Sequence, residues 1–474
     1  MYWINAVYWI VLTVYVVTII SLVILVISEN RNPIKTMSWV LVLILLPFIG
    51  LFFYYIFGED NRKKRFISKR MYKRLKNRAI PKTISEEYAP LPERYKELAI
   101  LLKNLDQSPI LEGNEVRFLT SAREKFQQLF EDIRSARHHV HVQYYIFEDD
   151  EIGARLSDAL IEKARQGVEV RLMYDDVGSW KSKSSFFKRM KQAGVEAEPF
   201  LPVVFPILTS RVNYRNHRKI VVIDGEVGYI GGMNVADRYL SGGKFVKWHD
   251  LHVRIKGKGV QGLQSSFLLD WYYAHKTYIS SRAYFPPLPS FGNNPMQIVT
   301  SGPIGIYRNI VQGLFFAFMN AKKSIYIQTP YFIPSESILN ALQTASLSGI
   351  DVRVVIPQEA DTRFAHLATR SFVKELLACR IKVYFYQQGF IHSKLIAIDD
   401  SLTIVGSSNM DVRSFEHNFE VNAFIYDKET CEEAKQIFSN DLKDSYQMFS
   451  EEWNKRRRKQ RFKESACRLL APLL

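Results

Sequence analysis

At 474 residues the chain exceeds one ordinary core, so two lobes or an internally duplicated unit are expected besides any membrane segment. An apolar content of 47% excludes a disordered tail protein, and a net charge of +16 implies an anionic partner, phospholipid or nucleic acid, between which charge does not choose. The three cysteines, Cys379, Cys431 and Cys467, lack C-x-x-C spacing, which argues against a disulfide framework or a structural zinc.

Residues 1–28 carry no charged side chain, and residues 36–58 form a second uncharged run. Each is long enough to cross about 30 Å of hydrocarbon as a helix. A signal peptide fits poorly, because there is no basic leading region or A-x-A-like cleavage site and a second apolar run follows at once. The expectation is a hairpin of two transmembrane helices over 1–60. A basic linker over 61–108 follows, with ten Lys or Arg from Arg62 to Arg78 and no acid among them. That density marks the cytoplasmic side of the membrane and suits anionic head groups. The N-terminus and everything after the linker would then share the cytoplasmic face. At the other end, 451–474 reads as a basic amphipathic tail, Lys455 to Arg461 preceding the apolar Leu469–Leu474. It is either a second surface contact or a solvated terminus.

Between these ends the pattern is α/β and duplicated. In the first lobe, 109–290, an alternating strand from His139 precedes a helix over about 151–166 and a strand from Val168. In the second lobe, 291–450, a strand from Ser324 precedes a helix over about 336–348 and a strand from Ile350. Gln143 corresponds to Gln328, and Gly167 to Gly349. Each lobe is expected to be a mixed β-sheet flanked by helices.

The strongest repeat runs His217-x-Lys219-x4-Asp224 to Gly231-Gly232-x-Asn234, matched at the same spacing by His392-x-Lys394-x4-Asp399 to Gly406-Ser407-x-Asn409. An ordinary strand edge explains one such string but not two. Each reads as a hairpin with a two-residue turn at Asp224-Gly225 or Asp399-Asp400. Residues two apart share a face, so each lobe presents an imidazole beside an ammonium. The two-residue turn would set His217 opposite Gly232 and His392 opposite Ser407, small residues that admit a phosphate, with Asn234 and Asn409 as nearby amide donors. Parity puts Asp224 and Asp399 at the turn, in a structural role. A reactive imidazole also needs an acceptor on its other nitrogen, for which Asp250 and Glu420, each in a following strand, are the candidates. His138, His139 and His141 lack the remaining ligands of a metal site, and no metal or cofactor is expected.

These paired strings resemble the phospholipase D superfamily. The two apolar runs, residues 29–39, Tyr144–Asp150, Asn409–Asn422 and Leu469–Leu474 extend the resemblance to the bacterial cardiolipin synthases over nearly the whole chain. Gly232 departs from the serine common in that motif. The resemblance implies two phospholipase D-like lobes meeting at a pseudo-twofold site without metal, where one histidine forms a phosphatidyl-histidine intermediate. His217 is nucleophile and His392 general acid then base by resemblance alone, since the residues themselves support a pair without ordering it. It further implies that two phosphatidylglycerol molecules give cardiolipin and glycerol at the cell membrane, with anionic lipids and not nucleic acid as partners. Within the superfamily, a phospholipase D or a phosphatidyltransferase using another alcohol is the alternative. A non-catalytic lipid-binding scaffold would keep the basic ends but lose a His or Lys, and both motifs are complete.

Overall fold

The computed structural model describes residues 2–28, 33–54, 91–203, 213–305 and 307–469. The chain divides into an N-terminal helical unit and a larger body that holds both lobes.

In the N-terminal unit the helix Tyr2–Ser28 contains the apolar stretch Asn5–Ile24, of mean hydropathy 2.5. Among the described residues it is the one helix long and apolar enough to cross a membrane. The second run, expected as one spanning helix, is instead two shorter ones, Pro33–Leu45 and Pro47–Phe53. Pro47 has no N–H to donate to the carbonyl one turn earlier, so the helix breaks at Leu46. Leu43 and Tyr54 are buried against Ile19, Leu22 and Trp39. Residues 55–58, the basic run Arg62–Arg78 and residues 470–474 lie outside the described residues.

The body opens with the helix Lys96–Asp106, whose Leu98 and Leu102 enter the core of the second lobe. Asp106 accepts from the Thr300 N–H at 2.6 Å. Residues 96–106, placed by the sequence reading in the linker, are thus a structural part of the second lobe.

Strands β1 (Glu115–Leu119), β2 (His139–Tyr144), β3 (Glu169–Asp175), β4 (Glu196–Phe200), β5 (Ile220–Ile223), β6 (Val227–Gly231), β7 (Trp248–His249) and β8 (His252–Lys256) belong to the first lobe. The second holds β9 (Met296–Ser301), β10 (Ser324–Gln328), β11 (Phe332–Ile333), β12 (Asp351–Pro357), β13 (Lys382–Tyr386), β14 (Phe390–Ile391), β15 (Leu395–Ile398), β16 (Leu402–Gly406), β17 (Met410–Asp411), β18 (Glu420–Ile425) and β19 (Ser445–Met448). The first sheet runs β1-β8-β6-β5-β2-β3-β4, and the second runs β9-β18-β16-β15-β10-β12-β13 before adding β19 at its edge. The same order, parallel only across β2-β3-β4 and β10-β12-β13, makes the duplication a fact of topology.

Alternation within each strand serves two cores at once. Ile220 and Val222 of β5 pack with Leu395 and Ala397 of β15 in a layer between the sheets. Val221 and Ile223 face the opposite way, into the helices Ala122–Ser135, Glu151–Arg165 and Ser184–Gln192. The result is helices, sheet, sheet, helices, in which two half-buried β faces cover each other.

Residues 453–468 of the C-terminal segment pack on the second lobe. Trp453 is buried, stacked 5.7 Å from Phe385, and the helix Arg458–Arg468 is tied to Arg363–Ala378 through Glu464 to Arg370 and Arg468 to Glu375.

Candidate active site

The repeated strings form the hairpins β5-β6 and β15-β16, but in a register one residue away from the expected one. Ile223 pairs with Val227 and Ile398 with Leu402, so each turn holds three residues. Asp224 and Asp399 open the turns in the left-handed region, at φ 53° and 50°, a conformation that an aspartate tolerates better than most side chains. Extrapolated, this register sets His217 against Met233 and His392 against Ser408. The expected facings with Gly232 and Ser407 do not occur.

More important, the ladders stop at Ile220 and Leu395, and the histidines leave their own sheets to pair across the lobes. The His217 N–H donates to the Phe419 carbonyl at 3.0 Å, and the His392 N–H to the His249 carbonyl at 2.6 Å. Asn216 bridges Phe419, as Ile391 pairs with His249. In both cases the histidine and the carboxylate each follow their paired residue by one position. The backbone therefore delivers Glu420 of the second lobe to His217 of the first, and Asp250 of the first to His392 of the second. His217 Nδ1 lies 3.0 Å from Glu420 Oε1, and His392 Nδ1 lies 2.6 Å from Asp250 Oδ2.

A carboxylate only accepts, so each Nδ1 carries the proton and each Nε2 keeps the lone pair. Both histidines line one cavity of about 410 Å³, shared with Asn234 and Asn409. Burial pushes both imidazoles down to about 4 against the opposing pull of the carboxylates, so each is neutral near pH 7 before a substrate enters. Glu420 stays below the ordinary range because His217, and then Lys219, outweigh the cost of burying its charge. Lys219 and Lys394 donate to the carbonyls of His217 and His392, each at 2.5 Å, and Lys394 Nζ also sits 3.0 Å from His392 Nε2. Burial lowers these ammonium groups to about 7 and about 8.

Ser407 and Gly232 do occupy equivalent places, each beside a carboxylate. The Ser407 hydroxyl donates to Glu420 Oε2 at 2.5 Å. A β-carbon on Gly232 would overlap Asp250 Oδ1, so the missing side chain makes room for the shorter acid. Asn234 accepts from the Ile146 N–H and donates to the Tyr239 hydroxyl, and Asn409 donates to Asp411. Asp224 and Asp399 lie at the far end of the hairpins. Asp224 accepts from the N–H groups of Arg137, His138 and His139, and Asp399 from those of Lys322, Lys323 and Ser324. His139 and His141 are buried on Gln264. Among the described residues no group of three or more His, Cys, Asp or Glu is arranged to hold a metal.

Several site residues escaped the sequence reading. Arg238 and Arg413 both line the cavity, each four residues beyond a motif asparagine, a repeat signal that was available. The matched glutamines rest on matched buried acids, Gln143 on Asp270 at 2.6 Å and Gln328 on Asp441 at 2.7 Å. A lone acid in the apolar run Phe267–Tyr273 was the clue to Asp270. Tyr145, Tyr239, Tyr331 and Asp361 carried no such signal.

Comparison with known proteins agrees with this architecture. Residues 129–271 and 314–442 match the family model described as cardiolipin synthase, PLD-like domain, and residues 13–59 match the phospholipase D-nuclease N-terminal model. The chain is 41% identical to cardiolipin synthase 2 of Bacillus cereus over 94% of its own length and 88% of that protein. It is also 41% identical to the major cardiolipin synthase ClsA of Bacillus subtilis, over 97% of this chain and 98% of that one. Among solved structures, the phosphatidylserine synthase of Haemophilus influenzae superposes with a TM-score of 0.61 at 14% identity, covering 80% of this chain and all of the other.

Proposed function

The chain belongs to the cardiolipin synthase family with phospholipase D-like domains, and on that premise we propose that it transfers a phosphatidyl group from one phosphatidylglycerol to another, releasing glycerol. The observation that carries this reading is the crossed pairing of two buried imidazoles, each held by the other lobe's carboxylate, at one cavity.

His217 Nε2 attacks phosphorus, forming a P–N bond as the bond to the glycerol oxygen breaks. His392, which takes up a proton from solvent when the phosphodiester anion enters beside it, gives that oxygen its proton. A second phosphatidylglycerol then enters. His392, now neutral, takes the proton from its terminal hydroxyl, the oxygen attacks phosphorus, and the P–N bond breaks to free His217. Lys219, Lys394, Asn234 and Asn409 hold the non-bridging oxygens and stabilise the charge that grows in each transition state. Glu420 and Asp250 orient the rings and stabilise each imidazolium as it forms. Asp224, Asp399, Gly232 and Ser407 keep the hairpins and carboxylates in place, and neither metal nor cofactor takes part.

The same reading puts the protein in the bacterial cell membrane, with helix Tyr2–Ser28 spanning it and residues 36–58 as the second span. The catalytic body stands on the cytoplasmic side, after the basic linker. The domain limits proposed are 1–60, 61–108, 109–290, 291–450 and 451–474, with the linker's helix Lys96–Asp106 and the tail's helix Arg458–Arg468 packed on the second lobe.

The test is mass analysis of products from purified protein given phosphatidylglycerol alone, with and without chelator. Cardiolipin and glycerol in equal amounts, undiminished by EDTA and lost in His217→Ala, is the expected result. Phosphatidic acid as the sole product would make the protein a hydrolase.

A further inference from the structure

The cavity of about 410 Å³ has room for a phosphoglycerol head group but not for the two long acyl chains attached to it. The chains must therefore remain in an apolar medium while the phosphate reaches the histidines. One edge of the cavity is built to meet such a medium.

Three short segments, residues 180–183, 240–247 and 362–364, carry exposed apolar side chains that no fold requirement explains: Trp180 at 53% exposure, Leu240 at 43%, Val246 at 93% and Phe364 at 57%. Two of the segments adjoin cavity-lining residues in the chain, and the third, 180–183, is tied to one only through Glu148. Leu240 follows Tyr239, Val246 precedes Trp248 by two, and Phe364 lies between Thr362 and Ala365. Lys181 reaches Glu148, which Arg238 of the cavity wall also binds. Lys244 Nζ donates to the Asp361 carbonyl at 2.7 Å, closing the gap between the second and third segments. The loop between Leu240 and Val246 is itself held firmly, Phe245 stacking 5.1 Å from Phe390. The exposed charges of these segments, Lys181, Lys183, Lys244, Lys247 and Arg363, are all positive, and no acid occurs in them. Other exposed apolar residues of the body, such as Leu347 and Phe462, adjoin no cavity-lining residue in the chain.

We propose that this arc is a membrane-docking rim: Trp180, Leu240, Val246 and Phe364 enter the interface of an anionic bilayer while the five cations meet its head groups, so that the mouth of the cavity opens onto lipid. Apolar tips ringed by Lys and Arg are the pattern that interfacial binding to anionic lipid selects, whereas a protein partner would be expected to provide acids for the cations. The inference rests on the lipid substrate proposed above.

The experiment compares the full chain with a Leu240→Ser/Val246→Ser/Phe364→Ser variant, none of whose altered residues lines the cavity. Each is given phosphatidylglycerol in two forms, as bilayer vesicles and as a short-chain species dispersed as monomers. Expected is a loss of about tenfold or more on vesicles with turnover of monomers retained. Equal loss on both forms, or on neither, would overturn the proposal. A second readout does not depend on catalysis. A bimane label on Val246→Cys, in a Cys379→Ser background, is quenched by lipids brominated near the head group in vesicles of phosphatidylglycerol and phosphatidylcholine if the rim inserts. Quenching without cardiolipin synthesis by the unaltered protein would refute the proposed reaction and keep the rim. Synthesis without quenching would do the reverse.

Discussion

Replacing Asp250 by asparagine should cripple both proton transfers assigned to His392 and leave the attack assigned to His217 largely intact when the leaving group needs no proton. Asp250 is 2% exposed and accepts from His392 Nδ1 at 2.6 Å, so no water can substitute for its charge. The amide would still accept the Nδ1 proton and keep the ring in place, which isolates the electrostatic part of the effect. With charge centres about 4 Å apart and an effective dielectric of about 20, the carboxylate stabilises an imidazolium by about 4 kcal/mol, or about 10³-fold in rate. His392 protonates the departing glycerol in the proposed mechanism. A phosphatidyl ester of nitrophenol, whose leaving group needs no proton, should therefore restore the first half-reaction of Asp250→Asn to within about tenfold of the unaltered enzyme. Glu420→Gln acts on His217, the proposed nucleophile, whose positive charge develops whatever group departs, so its burst should stay depressed by about 10²-fold or more. The assay is the pre-steady-state release of nitrophenolate, followed by mass analysis for phosphatidylated His217. A burst restored in Glu420→Gln but not in Asp250→Asn would refute either the crossed pairing as a functional arrangement or the order of the two histidines.

Asp224→Asn and Asp399→Asn should each lower stability by about 2 kcal/mol, since each acid receives three backbone N–H groups far from the cavity, while kcat changes little. Urea unfolding beside steady-state rates checks this, and a folded but inactive Asp224→Asn with a fully active Asp250→Asn would contradict it. Because burial lowers Lys219 to about 7 and Lys394 to about 8, the free enzyme loses ammonium charge as pH rises through that window. kcat/KM should fall there, while kcat holds to higher pH because a bound phosphodiester anion favours the charged lysines. A kcat/KM that stays flat to pH about 10 would remove the lysines from phosphate binding. Gly232→Ser should cost about 10²-fold in kcat by driving Asp250 off His392, whereas Ser407→Gly, which removes one of several partners of Glu420, should cost about tenfold or less. Parallel melting curves separate these losses from unfolding.

The sequence by itself determined the duplication, both His-x-Lys strings, the acids Asp250 and Glu420 and the turn position of Asp224 and Asp399. Each of these follows from local spacing or from the two-residue period of a strand, which repeats wherever the chain repeats. It could not determine which acid serves which histidine. That depends on strand-to-strand pairing between residues more than a hundred positions apart, Asn216 with Phe419 and Ile391 with His249, after one lobe's chain has crossed to the other. The register of the hairpins lay just beyond its reach as well, because one extra residue in a turn is invisible in an apolar alternation that continues on both sides. The length of the apolar run 36–58 suggested one span, but Pro47 lies inside it, and the helix ends there because a missing N–H acts locally. Only the tertiary structure decided what Gly232 is for: the absence of a side chain matters through what approaches it, and the carboxylate of Asp250 arrives from a different strand.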